Sequence, residues 1–218
     1  MLISSLNSAA FADTLILLVA PDSANRQATK QQGDVVRIYD AINKQTLGYN
    51  IFHISQYLPD LTGNGQVFLT EAQVAQLNQL LTATSFAAEL VADLSPKFVI
   101  GYVKELVAHP DSDHLSVTQV EVDHGATLQI VCGAPNVAQG QKVIVAKIGA
   151  MMPNGQIIWP GALRGVTSDG MICAARELAL PHAPKRHGIL VMPAATAAGT
   201  PFNFEQAAAV VAAQNAAE

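Results

Sequence analysis

The alternation of apolar and polar residues along the first part of the chain predicts a small domain with strands and one clear helix. Runs of apolar and β-branched residues, bounded by Pro, Asp, Asn or Gly, predict strands at 14–20, 34–40 and 47–54. The polar run at 21–33 is expected to form an exposed loop or a short helix. We therefore expect residues 1–89 to form a small α/β domain, which we assign to the α+β class. Its role is unknown.

Residues 69–84 have the spacing of an amphipathic helix. Val74, Leu77, Leu80 and Leu81 recur at intervals that put them on one face. Thr70 and Gln73 have the spacing of a capping box, in which each side chain accepts a hydrogen bond from the backbone amide of the other residue. This helix is expected to pack one face on the core.

From residue 98 the pattern changes to short strands separated by tight turns. Gly101 lies inside the first of them, where a tightly coiled barrel needs a residue without a side chain. Five short strands in succession are typical of a small closed barrel such as the OB-fold. We predict an all-β OB-fold barrel with short helices at 90–203, followed by an Ala-rich helix or tail at 204–218. The predicted strands are 98–108, 115–123, 126–132, 142–152 and 156–163.

The charge distribution distinguishes the two parts of the chain. The whole chain of 218 residues has a formal net charge of −5, which does not by itself favour an anionic partner. Residues 1–96 carry four basic and eight acidic side chains, whereas residues 97–188 carry eight basic and seven acidic ones. This difference weakly favours the second part as the one that meets an anion.

Several classes of protein are disfavoured by the sequence. Neither Cys132 nor Cys173 has the spacing of a zinc site or a disulfide framework, so we expect no metal and no other cofactor. Neither has a marked His and acid partner, so we expect no catalytic residue and no enzymatic activity. No apolar run reaches the ~18 residues of a membrane span, and the first residues lack the positive region of a secretory signal. We expect a soluble, cytoplasmic protein without a membrane partner.

The segment HPDSDHL at 109–115 leaves two alternatives open. Its histidines and aspartates could ligate a metal, or Pro110 could fix a turn in which Asp111 or Asp113 caps backbone amides. The turn is the favoured interpretation.

A candidate anion site is centred on Arg164. This planar cation lies near Ser168 and near backbone amides that can meet a phosphate. Lys142 and Lys147, on a neighbouring predicted strand, add positive charge on the same side. Asn136 offers two donors and one acceptor near the expected mouth of the barrel.

Five blocks of sequence follow one another between residues 98 and 202. They are HPDSDHLSVTQVEV, LQIVCGAPNV, GQKVIVAKIGAMMPNG, ALRGVTSDGMICAARELAL and HGILVMPAATAAGTPF. Together they resemble the tRNA-binding domain of the phenylalanyl-tRNA synthetase β chain, a module that also occurs in free-standing proteins. A synthetase β chain is far longer than 218 residues, and an acidic α/β segment of about 90 residues lies ahead of the module here, so the chain resembles free-standing tRNA-binding proteins of the YtpR type. It has no class-defining synthetase catalytic motif, so we expect no aminoacylation activity.

This resemblance implies an OB-fold that recognises folded tRNA by shape and backbone contacts, in association with translation. Arg164 is then expected to meet a phosphate, Ser168 and Asn136 to meet sugar or base edges, and Met171 to act as a packing partner. A homodimer and an aminoacyl-tRNA synthetase partner are left open. The RNA-binding residues implied, with the nearby cations, are Arg164, Ser168, Met171, Asn136, Lys142 and Lys147.

The sequence departs from the family just ahead of Arg164. Members commonly have lysines there, whereas this chain has Ile158, Trp159, Gly161 and Ala162. Fewer phosphate contacts would weaken RNA binding. Trp159 could compensate by stacking on a base, or it could be a plug of the barrel. The alternative function is therefore a protein-interaction adaptor of the translation machinery that has lost strong RNA affinity.

Overall fold

The chain divides into two compact units, Met1–Ser95 and Pro96–Glu218. The computed structural model describes residues 1–23 and 25–216. The sequence boundary at residues 89 and 90 falls inside the first unit. Leu90 is buried in the core of that unit, its N–H donates to Asn78 Oδ1 at 3.0 Å, and its carbonyl accepts from Asn78 Nδ2 at 2.9 Å. Both backbone groups of Leu90 are thus satisfied by the first unit.

The first unit contains a six-stranded antiparallel sheet in the order β3-β4-β5-β2-β1-β6. Leu15 and Leu17 of β2 and Tyr49 and Ile51 of β5 are fully buried, so alternate residues of these central strands form the core. The strands are β1 (Ile3–Asn7), β2 (Phe11–Leu18), β3 (Gln27–Gln32), β4 (Val35–Asp40), β5 (Thr46–Phe52) and β6 (Gly65–Val67).

The prediction of a loop or short helix for 21–33 was wrong over β3. This polar strand pairs with β4 along its whole length, from Gln27 opposite Asp40 to Gln32 opposite Val35. At the edge of a sheet, backbone hydrogen bonds to one neighbour hold a strand, so its side chains need not be apolar. Hydrophobic patterning therefore carried no signal for β3.

Two helices accompany this sheet within the described residues, α1 (Ile54–Tyr57) and α2 (Glu71–Ala83). The predicted capping box at the start of α2 is confirmed. Thr70 Oγ1 accepts from the Gln73 N–H at 3.2 Å, and Gln73 Oε1 accepts from the Thr70 N–H at 2.9 Å. The predicted apolar face is buried at Val74, Leu77 and Leu81.

The second unit contains a sheet in the order β13-β10-β7-β8-β9, with β14 also paired to β10. Its two ends approach each other where the Asp169 N–H donates to the Gln129 carbonyl at 2.8 Å, so the sheet is a nearly closed barrel. The strands are β7 (Phe98–Ala108), β8 (Ser116–Glu121), β9 (Thr127–Cys132), β10 (Lys142–Lys147), β11 (Gly161–Leu163), β12 (Val166–Ser168), β13 (Gly170–Ile172) and β14 (Val191–Met192).

The first four predicted barrel strands are confirmed, although the fourth ends at Lys147 and not at residue 152. The fifth, predicted at 156–163, was wrong as a barrel strand, and only Gly161–Leu163 within it forms a strand. Ile158 instead bonds back to the turn after β10: its N–H donates to Ala150 at 2.9 Å, and its carbonyl accepts from Gly149 at 2.8 Å. Pro160 then lacks an N–H to continue a ladder. The next residues form the separate β11–β12 hairpin, and β13 takes the fifth position in the barrel.

Gly101 occupies a crowded point of the barrel, as expected. A Cβ at this position would lie 2.6 Å from Val120 Cγ1 and 2.7 Å from Val145 Cγ2. The chain then ends in α3 (Phe204–Ala216), which buries Ala207 and Val211 in the core of the second unit. Within the described residues, no helix has both the length and the apolar character needed to cross a membrane.

Candidate nucleic-acid interface

Arg164 lies exposed at the turn of the β11–β12 hairpin. Arg164 and Gly165 have φ angles of 45° and 82°, so the turn places a non-glycine residue in the left-handed region. The guanidinium Nη1 donates to the Asp111 carbonyl at 2.8 Å. This bond uses one of the five guanidinium donors and orients the planar group at the tip of the hairpin.

The segment at 109–115 supports this hairpin. His109 is buried, and its Nδ1 accepts from the Asp111 N–H at 3.0 Å. The proton therefore lies on Nε2, which donates to the Leu163 carbonyl at 3.1 Å. No group of three or more His, Cys, Asp or Glu residues that could hold a metal ion occurs in the part of the chain that the structure describes. The turn interpretation expected Asp111 or Asp113 to cap backbone amides, whereas in the structure the His109 side chain accepts from the Asp111 N–H.

Ser168 is buried, and both of its hydrogen bonds are made inside the barrel. Its Oγ accepts from the Val131 N–H at 3.1 Å and donates to the Gly170 carbonyl at 3.2 Å. The hydroxyl therefore ties β12 to the end of β9. The structure places Ser168 under the candidate surface.

The two predicted lysines differ in their surroundings. Lys147 Nζ forms an ion pair with Asp123, and the Lys147 side chain is only 12% exposed. Lys142 is half-buried, with its Nζ 4.4 Å from the centroid of the Tyr102 ring. Lys147 is therefore neutralised by its partner, whereas Lys142 is held against an aromatic face.

Asn136 is exposed, yet its amide is bound to the backbone of Ile189. Nδ2 donates to the Ile189 carbonyl at 3.0 Å, and Oδ1 accepts from the Ile189 N–H at 2.8 Å. Met171, half-buried on β13, lines a cavity of about 260 Å³ close to this clamp, together with Gly133, Ala134 and Arg176. Asn136 lines an adjoining cavity, and both cavities share the lining residues Ala174, Arg176, Gly188 and Ile189. We call the two cavities together the groove.

Trp159 is half-buried next to the buried Ile158. None of Ile158, Trp159, Gly161 and Ala162 is charged, so the residues directly ahead of Arg164 add no positive charge to the hairpin.

Four basic or titratable side chains near this groove were missed by the sequence reasoning. Arg176, Lys185, Arg186 and His187 are exposed, and Arg176 Nη2 lies 2.9 Å from His187 Nδ1. The run PKRH at 184–187 was the sequence feature that could have pointed to three of these side chains. It lies 20 residues or more from Arg164 in the sequence, so only the fold shows that it borders the groove of Met171 and Asn136.

The structure gives a physical reason against a thiol nucleophile. Cys132 and Cys173 are both buried. Burial raises the pKa of the Cys132 thiol, and it raises the pKa of Cys173 to about 12. Both thiols are therefore protonated at neutral pH and unreactive as nucleophiles.

Comparison with known proteins connects this geometry to a family. Residues 98–201 match the family model described as "Putative tRNA binding domain", and residues 22–93 match one described as "Domain of unknown function (DUF4479)". The chain is 48% identical over 198 residues to the "Putative tRNA-binding protein YtpR" of Bacillus subtilis (strain 168), covering 91% of this chain and 98% of that protein.

Phenylalanine–tRNA ligase β subunits match a shorter part. The subunit of Burkholderia pseudomallei (strain 1710b) is 44% identical over 133 residues, which is 57% of this chain and 16% of the subunit. That of Oceanobacillus iheyensis is 54% identical over 92 residues, or 42% of this chain and 11% of the subunit. The chain therefore belongs to the YtpR family, and its second unit contains the family's tRNA-binding domain.

Proposed function

We propose that this chain binds structured RNA, with tRNA as its ligand, in the cytoplasm and without catalysis. The match of residues 98–201 to a tRNA-binding domain is the observation that carries the proposal. The strand order β9-β8-β7-β10-β13, with the two ends joined by the Asp169–Gln129 hydrogen bond, supports an OB-fold as the binding module.

In this proposal Arg164 is the main phosphate contact. Its exposed guanidinium can bind a phosphate through two parallel N–H donors. The bonds that Arg164 donates to the Asp111 carbonyl and that His109 donates to the Leu163 carbonyl hold the hairpin in place beforehand. Preorganisation of this kind lowers the entropy lost on binding. Ser168 and Asn136 then position the walls of the surface, while Met171 and Lys142 border it. Shape and backbone contacts are the means of recognition suited to a folded RNA.

Filter binding of tRNA at several salt concentrations tests the proposal. Arg164→Ala should raise the Kd about tenfold at low salt, because a charge-assisted hydrogen bond to phosphate is lost. The slope of log K against log salt should fall by about 0.7 to 0.9 for each lost phosphate contact. Arg26→Ala removes an exposed arginine from the first unit and serves as the matched control. A wild-type protein that binds no tRNA at low salt would overturn the proposal.

The adaptor function is the second candidate, favoured by the neutralised charges of the second unit. Lys147 is paired with Asp123, and Lys104 lies 3.4 Å from Glu121. In this case the chain binds a protein of the translation machinery, such as an aminoacyl-tRNA synthetase. A protein partner recovered from an RNase-treated lysate, together with undetectable tRNA binding, would favour the adaptor; a partner lost on RNase treatment would favour RNA.

A further inference from the structure

Two cavities lie side by side next to Arg176. The larger has a volume of about 340 Å³ and the smaller about 260 Å³, and both are lined by Ala174, Arg176, Gly188 and Ile189. The larger volume is in the range of small-molecule binding sites. The smaller cavity continues to Val131, the residue whose N–H binds Ser168 at the base of the β11–β12 hairpin. The groove therefore begins close to the surface proposed for Arg164.

The walls of the larger cavity are mainly apolar and are held in place by side-chain hydrogen bonds. Asn136 is bound to both backbone groups of Ile189 on one side. Gln214 Nε2 donates to the Val191 carbonyl at 2.7 Å on another side. A flat apolar ring system can enter such a preformed site with little further ordering of the protein. The apolar lining residues are Ala174, Ala175, Pro184, Ile189, Leu190 and Val191.

Positive charge is concentrated on the rim of these cavities. Arg176 and Arg186 line the larger cavity and are exposed, and the exposed Lys185 lies between Arg186 and the lining residue Pro184 in the sequence. Glu177 also lines the smaller cavity, where its Oε2 accepts from the Ala174 N–H at 2.7 Å. Arg176 Nη2 lies 2.9 Å from His187 Nδ1, which orients the guanidinium along the groove. Arg186 and Lys185 follow directly on Pro184, at the mouth of the larger cavity.

We infer that this groove binds an unpaired nucleotide of the RNA, with its base in the apolar cavity and its phosphate at Arg176, Lys185 and Arg186. The inference rests on the proposed function. Charge complementarity selects this occupant, because three cations next to an apolar cavity match a group that joins a flat ring to a phosphate.

The double variant Arg176→Gln/Arg186→Gln tests the inference. We expect the Kd for tRNA to rise about tenfold or more at low salt, and the salt slope to fall by about 0.7 to 0.9 for each lost phosphate contact. A blunt-ended RNA duplex has no unpaired nucleotide, so its Kd should change no more than in the control. Lys104→Gln, an exposed lysine of the same unit, is that control. Far-UV circular dichroism checks the fold, and Lys185→Gln gives a second, single-site test.

The outcomes separate this inference from the proposed function. If the wild-type protein binds tRNA and Arg164→Ala weakens binding, but the double variant and Lys185→Gln do not, the groove is not a nucleotide site and the RNA-binding function stands. If the double variant raises the Kd for tRNA and the Kd for the duplex by the same factor, the cations act on any phosphate backbone and the inference of an unpaired nucleotide is wrong. If the folded wild-type protein binds no tRNA, both proposals fail together.

Discussion

The side-chain amide of Asn136 is hydrogen-bonded to both backbone groups of Ile189, at 3.0 Å for the carbonyl and 2.8 Å for the N–H. These residues are separated by 53 positions in the sequence. The pair joins the loop after β9 to the segment that carries the basic rim. An asparagine that looks like an ordinary loop residue therefore sets the spacing of two walls of the groove.

Asn136→Ala should release the segment around Ile189. We expect the free energy of unfolding to fall by about 1 to 3 kcal/mol, because two hydrogen bonds are lost at a part-buried site. Urea unfolding followed by circular dichroism measures this change. Asn154→Ala is the control, since Asn154 Oδ1 accepts from the Gln156 N–H in an exposed turn. Equal losses in both variants would contradict a special role for Asn136.

Ser168→Ala should affect stability more than the electrostatics of RNA binding. The change leaves the Val131 N–H without its acceptor, so we expect a loss of about 1 to 3 kcal/mol in the free energy of unfolding. The salt slope of tRNA binding should stay as in the wild type, because no phosphate contact is removed. Thr167→Ala, at the exposed neighbour, is the matched control. A lowered salt slope for Ser168→Ala would show that the hydroxyl acts at the RNA instead.

Lys147→Gln should leave the salt slope of tRNA binding unchanged. The Lys147 ammonium is paired with Asp123 and its side chain is 12% exposed, so it has little charge to offer a phosphate. Breaking this pair should instead reduce the free energy of unfolding by about 1 kcal/mol. Filter binding and urea unfolding of the same variant test both statements. A salt slope lowered as in Arg164→Ala would mean that Lys147 leaves Asp123 when RNA binds.

The stability of the first unit should depend on pH through Asp40. Its buried carboxylate accepts from Asn25 Nδ2 at 2.8 Å, from the Ile42 N–H at 2.7 Å and from the Asn43 N–H at 3.1 Å. These hydrogen bonds hold the pKa of Asp40 well below its ordinary value of 3.8, and the bond from Asn25 has the largest effect. The ionised form therefore stabilises the fold above pH 3.8, and this stabilisation is lost as the pH falls further.

Urea unfolding between about pH 5 and pH 3 checks this dependence. Asp40→Asn should be less stable than the wild type at the upper end and should show a flatter decline with falling pH. Asp60→Asn, at an exposed position, should follow the wild-type curve. If Asp40→Asn keeps the wild-type pH dependence, other carboxylates cause the loss of stability at low pH.

Local patterns were enough for the elements whose signals lie close together in the sequence. The capping box of Thr70 and Gln73, the apolar face of α2 and the first four barrel strands all depend on residues a few positions apart. The family match likewise needed only ordered blocks of sequence. By contrast, β3 is polar and is held by backbone pairing with the neighbouring β4, so the pattern of its own side chains could not predict it.

Sequence patterns alone predicted the barrel, the family and the residue types available to meet an anion. Which of those residues are accessible depends on how the chain folds. Ser168 and Lys147 satisfy partners inside the protein, Arg164 remains exposed, and the run PKRH borders the groove held by Asn136. The physical reason is that hydrogen bonds and ion pairs between residues 24 to 53 positions apart use up some polar groups and leave others to the solvent.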